Sequence, residues 1–99
     1  MTKRAPVPCP EMQEIRAQID ALDKRLVTLL ADRQKLIAAA GEVKPSRDTV
    51  RDEARIEEGI RLVLQEAEKA GLAPDIAEPV WRQLIESSIA YEYGVFDKR

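Results

Sequence analysis

Apolar residues recur along the first part of the chain at alternating intervals of three and four: Met12, Ile15, Ile19, Leu22, Leu26 and Leu29, then Leu36 and Ala40. That spacing marks one stripe of an α-helix and, sustained this long, the seam of a coiled coil. It predicts a first helix from Glu11 or Met12 to about Ala40, with Gly41 as its C-terminal punctuation. Nothing near Thr28 breaks helices strongly. Such a rod is roughly 43 Å long at helical rise. A compact domain of about 100 residues has a radius of gyration of about 13 Å. The rest of the chain cannot cover the rod, so a second copy is expected to do so. The expectation is an all-α homodimer with three helices per chain and a long first helix.

The stretch Val43–Thr49 reads as a loop, because Pro45 biases Lys44 towards an extended backbone. A second helix is expected from Val50 to Ala70, with Ile56, Ile60, Val63, Leu64 and Ala67 on one face and Gly71 ending it. A third begins near Pro74, a favoured first-turn residue, and continues through Trp81, Leu84, Ile85, Ser88, Ile89, Tyr91 and Val95. Pro79 lies more than a turn inside and is expected to kink this helix or delay it to Glu78. Residues 1–10 carry three prolines and no apolar run. They read as a mobile tail, neither signal peptide nor membrane span, ahead of one helical domain over residues 11–99.

Composition narrows the chemistry. Four aromatic residues and four glycines in 99 residues argue against an all-β fold. Sixteen basic against eighteen acidic residues give a net charge of −2, with no bulk basic signal for nucleic acid or membrane. Any cationic site must come from local placement. The one cysteine, Cys9, cannot form an internal disulfide, which makes a reducing cytoplasm the default. With no histidine, a Ser-His-Asp triad is excluded and a zinc site is not expected.

The seam itself is broken at Arg33, where its spacing calls for an apolar residue. A buried unpaired charge is costly, so a carboxylate must meet it, from the protein (Asp32, Glu86 or a partner-chain acid) or from a ligand. Arg16 flanks the same seam about 25 Å away at helical rise. It approaches Arg33 only if two such helices run antiparallel in a dimer, and by itself it reads as a solvated surface residue. Helix 2 opens on Arg51-Asp52-Glu53-Ala54-Arg55, in which Asp52 is placed to pair with Arg55. By itself this is an ordinary charged helix face. The line Trp81, Leu84, Ser88, Glu92, Val95 of helix 3 is apolar except for Ser88 and Glu92. A rotation exposing both residues would explain them away. Otherwise Glu92 needs a partner or a raised pKa. Taken together, Arg33, Lys44, Arg55 and a partner's Arg16 suit a small dianion, since arginines grip carboxylates bidentately and lysine supplies a point charge.

The ordered set Ile15-Arg16, Ile19-Asp20, Leu22-Asp23, Leu29-Leu30-Ala31-Asp32-Arg33, Gly41 and Lys44 resembles the first helix of the all-α chorismate mutases. Arg51-Asp52-x-x-Arg55 resembles the start of their second helix, and Leu84-Ile85-Glu86-Ser87-Ser88 followed by Glu92 resembles their third. The resemblance covers roughly residues 11 to 96. It implies an intertwined homodimer with two equivalent pockets, Arg16 reaching the partner's pocket. It assigns Arg33 and Lys44 to the substrate's carboxylate and ether oxygen, and Asp52, Arg55 and Ser88 to substrate binding. Glu92 falls beside the ether oxygen, where many relatives have glutamine. One departure is Ile56, at a position where many mutases carry a glutamate for the ring hydroxyl. The related isochorismate-pyruvate lyases are apolar there too, and Glu53 or Glu57 is the nearest substitute.

The resemblance therefore implies a cofactor-free, metal-free rearrangement of chorismate to prephenate. Lys44 and Glu92 would act at the ether oxygen, and Arg16, Arg33 and Arg55 would hold the carboxylates. Isochorismate-pyruvate lyase is the second reading, favoured by Ile56, and an aminodeoxychorismate mutase is a third. A non-catalytic dimeric helical regulatory module would use the same seam, but it would not require Arg55, Ser88 and Glu92 to face one cavity.

Overall fold

The computed structural model describes residues 9–99, so the tail expected at the start of the chain lies outside the described residues as far as Pro8. Among those described, the chain is helical without strands. It comprises α1 (Pro10–Val43), a short 3-10 turn (Arg47–Thr49), α2 (Glu53–Ala70) and α3 (Pro74–Lys98). The three-helix expectation holds. Residues up to Arg33 and those from Gln34 onward form two compact units, described in turn.

The first unit is the long stretch of α1. It begins at Pro10, one or two residues earlier than the apolar pattern indicates. A proline at the first helical position sacrifices no hydrogen bond that the helix would make. The Gln13 amide donates to the Cys9 carbonyl at 2.9 Å and closes the first turn. The seam is open to solvent: Ile15, Ile19, Leu22 and Leu26 are roughly half exposed and Leu29 is 63% exposed.

In the second unit α1 runs past Ala40 and Gly41 to Val43. Gly41 is therefore not the punctuation expected of it. Of the described residues only Gly71 has a positive φ, and Gly41 stays inside the helix. Its value is steric. A Cβ built there would lie 3.1 Å from the Glu92 carbonyl oxygen and 3.1 Å from the Val95 Cβ. The missing side chain lets the end of α1 lie against α3.

α2 begins at Glu53 rather than Val50, because Asp52 is the stronger cap. Its backbone is extended and its Oδ1 accepts from the Arg55 amide at 3.1 Å. Val50 is left as a buried anchor beneath the 3-10 turn. Ile56, Ile60 and Ala67 of α2 are buried, as is Ala77 of α3. Gly71, at φ 77°, ends α2 as expected, and the Leu72 amide reaches back to the Ala67 carbonyl at 2.8 Å.

α3 starts at Pro74 and passes through Pro79 without interruption. The delay expected at Pro79 is not seen. The ring removes one bond, that to the Asp75 carbonyl. Asp75 and Pro79 are both exposed, so water can serve that carbonyl. Two bidentate pairs tie α2 and its approach to α3. Arg82 donates to both Glu57 oxygens at 2.9 Å, and Arg51 donates to both Glu86 oxygens at 2.9 Å.

These hydrogen bonds hold the Glu57 and Glu86 carboxyls below the ordinary glutamate value. A carboxyl whose folded value is depressed stabilises the fold fully above its unfolded value, about 4.3, and loses that contribution as pH falls through the folded one. Both pairs are exposed, so the effect is small. The thermal midpoint should fall between about pH 5 and about pH 3, and Glu57→Gln with Glu86→Gln should make that fall shallower. Parallel melting curves for the two proteins across this range would show that the pairs carry no acid dependence.

Candidate active site

Glu92 is 4% exposed, the one buried charged side chain among the described residues. A carboxylate there must be compensated. Lys44 does so, with Nζ 2.6 Å from Glu92 Oε2 and 3.1 Å from the Val50 carbonyl, to which it donates. The Lys44 side chain keeps 28% exposure, so one side of the pair is open to solvent. From the residues alone Glu92 needed a partner or a raised pKa, and the family resemblance set Lys44 and Glu92 at one substrate oxygen; in the structure the two side chains meet each other.

The pair is assembled by three local features. Lys44 directly follows α1, its amide donating to the Ala40 carbonyl at 3.1 Å. Gly41 brings that end of α1 onto the turn of α3 that bears Glu92. The 3-10 turn then leads back to Val50, whose carbonyl fixes the ammonium. Ser88 lies one turn before Glu92 on α3, half-buried, its hydroxyl donating to the Leu84 carbonyl at 2.7 Å. That bond is the ordinary retreat of a helical serine.

The start of α2 differs from expectation. Asp52 serves the Arg55 backbone amide, not its guanidinium. The Arg55 side chain is 65% exposed and only loosely paired with Glu58 at 3.6 Å, which leaves it free to turn towards a ligand. Arg51 is fully engaged by Glu86 and Glu53. Glu86, one of the acids considered for Arg33, accepts from Arg51 with both oxygens. Ile56 is buried between α2 and α3 and borders an open cleft with Pro79, Gln83 and Glu86. Glu53 and Glu57, the substitutes considered for a glutamate at position 56, are held in ion pairs with Arg51 and Arg82. On α1, Arg33 is half-buried and Arg16 exposed.

Sequence reasoning missed the contacts around Lys44. Arg47 donates to Asp97 at 3.0 and 3.4 Å, and Arg99 donates to the Gly41 and Glu42 carbonyls at 3.2 and 2.9 Å. No local signal marks pairs that lie fifty or more residues apart. No cluster of three or more histidine, cysteine, aspartate or glutamate residues able to hold a metal occurs among the described residues. No described helix is long and apolar enough to cross a membrane.

A buried carboxyl joined to a partly exposed ammonium can present two polar groups to one ligand atom. Comparison with known proteins supplies the family. The T-protein of Haemophilus influenzae is 36% identical over 90 residues, covering 82% of this chain and 22% of its own length. The T-protein of Enterobacter agglomerans is 39% identical over 91 residues, covering 83% and 22%. The chain thus spans about a fifth of the length of these curated relatives. A family model described as chorismate mutase type II matches residues 15–93, which include the positions of Arg16, Arg33, Lys44, Arg55, Ser88 and Glu92. The chain belongs to the chorismate mutase type II family.

Proposed function

We propose that the chain is a chorismate mutase that rearranges chorismate to prephenate in aromatic amino-acid biosynthesis. The observation that carries this reading is the Lys44–Glu92 pair at 2.6 Å, in a chain of this family. The reaction breaks a carbon–oxygen bond as a carbon–carbon bond forms, and negative charge gathers on the departing ether oxygen. Lys44 donates to that oxygen. Glu92 lies beside it, holding the ammonium in place through their 2.6 Å contact. Both groups act where charge develops in the transition state. Arg33, Arg55 and a partner's Arg16 clamp the carboxylates and hold the chair-like conformer, with Asp52 and Ser88 completing the binding groups.

The working unit of this reading is a homodimer. The exposed α1 seam supports it: each leucine or isoleucine buried there contributes about 1.5–3 kcal/mol, and Ile15, Ile19, Leu22, Leu26 and Leu29 all await cover. The free Cys9 fits a reducing cytoplasm. A second reading, isochorismate-pyruvate lyase, draws on Ile56, an apolar side chain where many mutases have glutamate.

Incubation with chorismate and, separately, isochorismate distinguishes the two readings. Prephenate from chorismate is expected; salicylate and pyruvate from isochorismate alone would establish the lyase. Lys44→Ala should lower kcat by about 100-fold or more, the usual effect of losing a donor to a developing oxyanion.

A carboxamide keeps the size of the Glu92 side chain and offers an N–H donor. Glu92→Gln should therefore retain mutase turnover, whereas Glu92→Ala should lower kcat clearly. Equal turnover in the wild type and both variants would remove Glu92 from the site.

Arg16→Ala and Lys44→Ala chains, each nearly inactive alone, should regain roughly a quarter of wild-type activity when refolded together, because half the dimers carry one intact pocket of two. No recovery would place Arg16 in its own chain's pocket or outside both.

A further inference from the structure

We propose that Arg47, Asp97 and Arg99 form a clamp on both sides of Lys44 and act as positioning residues for the Lys44–Glu92 pair. This rests on the reading of Lys44 given above.

Lys44 stands between two tethers. Before it, α1 ends, and the last carbonyls of a helix have no intrahelical partner. Those of Gly41 and Glu42 accept from Arg99 Nη1 at 3.2 and 2.9 Å. The Arg99 guanidinium itself lies over the Phe96 ring, 3.8 Å from its centroid. After Lys44, Arg47 forms its forked contact with Asp97 at 3.0 and 3.4 Å and lies 4.4 Å over the Tyr93 ring. Every anchor falls on the last turns of α3 after Glu92 or on Arg99, the residue that caps it. The backbone is thus fixed two and three residues before Lys44 and three residues after it, on the same rigid segment that presents its partner.

Stability does not account for this arrangement. The Arg47 and Asp97 side chains are 61% and 47% exposed, and exposed ion pairs contribute little to folding. Geometry does account for it. Lys44 has a long, flexible stem, and a misplacement of about 1 Å can cost as much as 100-fold in rate. Tethering the loop at both ends confines the ammonium to the neighbourhood of Glu92 without burying it, so it remains open to a ligand. The forked and stacked geometry is specific to arginine, since lysine supplies neither the planar fork nor the same stacking.

Two measurements test the clamp. The first is Lys44 acylation by an amine-reactive ester, read by peptide mass spectrometry. The Lys44 peptide should be modified several-fold faster in Arg47→Ala and in Arg99→Ala, with the helical circular dichroism and melting midpoint essentially unchanged. The second is turnover with chorismate. Each variant should lose about tenfold in kcat with little change in KM. Asp97→Asn should match Arg47→Ala. Neither substitution should lower activity further in a Lys44→Ala background. If an alanine variant fails to fold, Arg47→Lys and Arg99→Lys serve instead, with smaller effects in the same direction. Unchanged Lys44 acylation, or full losses that persist on top of Lys44→Ala, would overturn the clamp. If Lys44→Ala itself retains full turnover, the functional reading fails and the clamp with it. If Lys44→Ala is inactive while the arginine variants keep wild-type kcat, only the clamp falls.

Discussion

The structure depends on one buried carboxylate. Glu92 sits at 4% exposure on α3, and an ionised group so placed costs several kcal/mol unless a counter-charge meets it. Lys44 can meet it only because α1 ends against that turn of α3. α1 can approach only because position 41 has no side chain. The requirement therefore runs from one charge to one glycine and fixes where the first helix stops. It also accounts for Val50, whose buried side chain anchors the returning loop while its carbonyl holds the lysine from the other side.

A pair of this kind is poor evidence of stability. Breaking it strands a charge, but replacing both partners with apolar residues often leaves a fold as stable or more so. In the proposed reaction the pair serves chemistry rather than cohesion. The exposed pairs are different in kind. Arg82 with Glu57 and Arg51 with Glu86 lie at the surface, add little energy, and set the register of α2 against α3 through their forked geometry.

What could be read from sequence follows from the range of each interaction. Helix identity comes from apolar spacing and caps within a few residues, so α1, α2 and α3 were all legible, as was Gly71. Boundaries failed where local rules competed. Asp52 capped α2 in preference to Val50, Pro79 was absorbed because its orphaned carbonyl lies at the surface, and Gly41 looked like a stop but served as a contact. The residues themselves showed Arg33, Ser88 and Glu92 as breaks in apolar lines. The pairing of Lys44 with Glu92, 48 positions on, had no local signature, because nothing in either neighbourhood encodes the other. The Arg47–Asp97 and Arg99 contacts were invisible for the same reason.

Position 56 bears on how the proposed reaction is divided among the residues. A glutamate there would offer an acceptor to a ring hydroxyl; Ile56 offers none and is spent on the contact between α2 and α3. The neighbouring acids do not readily take over. Moving Glu57 would release Arg82 from its bidentate pair, and moving Glu53 would draw on the Arg51 network that also holds Glu86. In the proposed reaction no carboxylate from the first turn of α2 would then meet the ring hydroxyl. The rate acceleration would rest on the ether-oxygen end of the substrate, the role proposed for Lys44 and Glu92. A single pair proposed to carry most of the catalytic burden would have to be held tightly, and the contacts of Arg47 and Arg99 on either side of Lys44 are placed to do that.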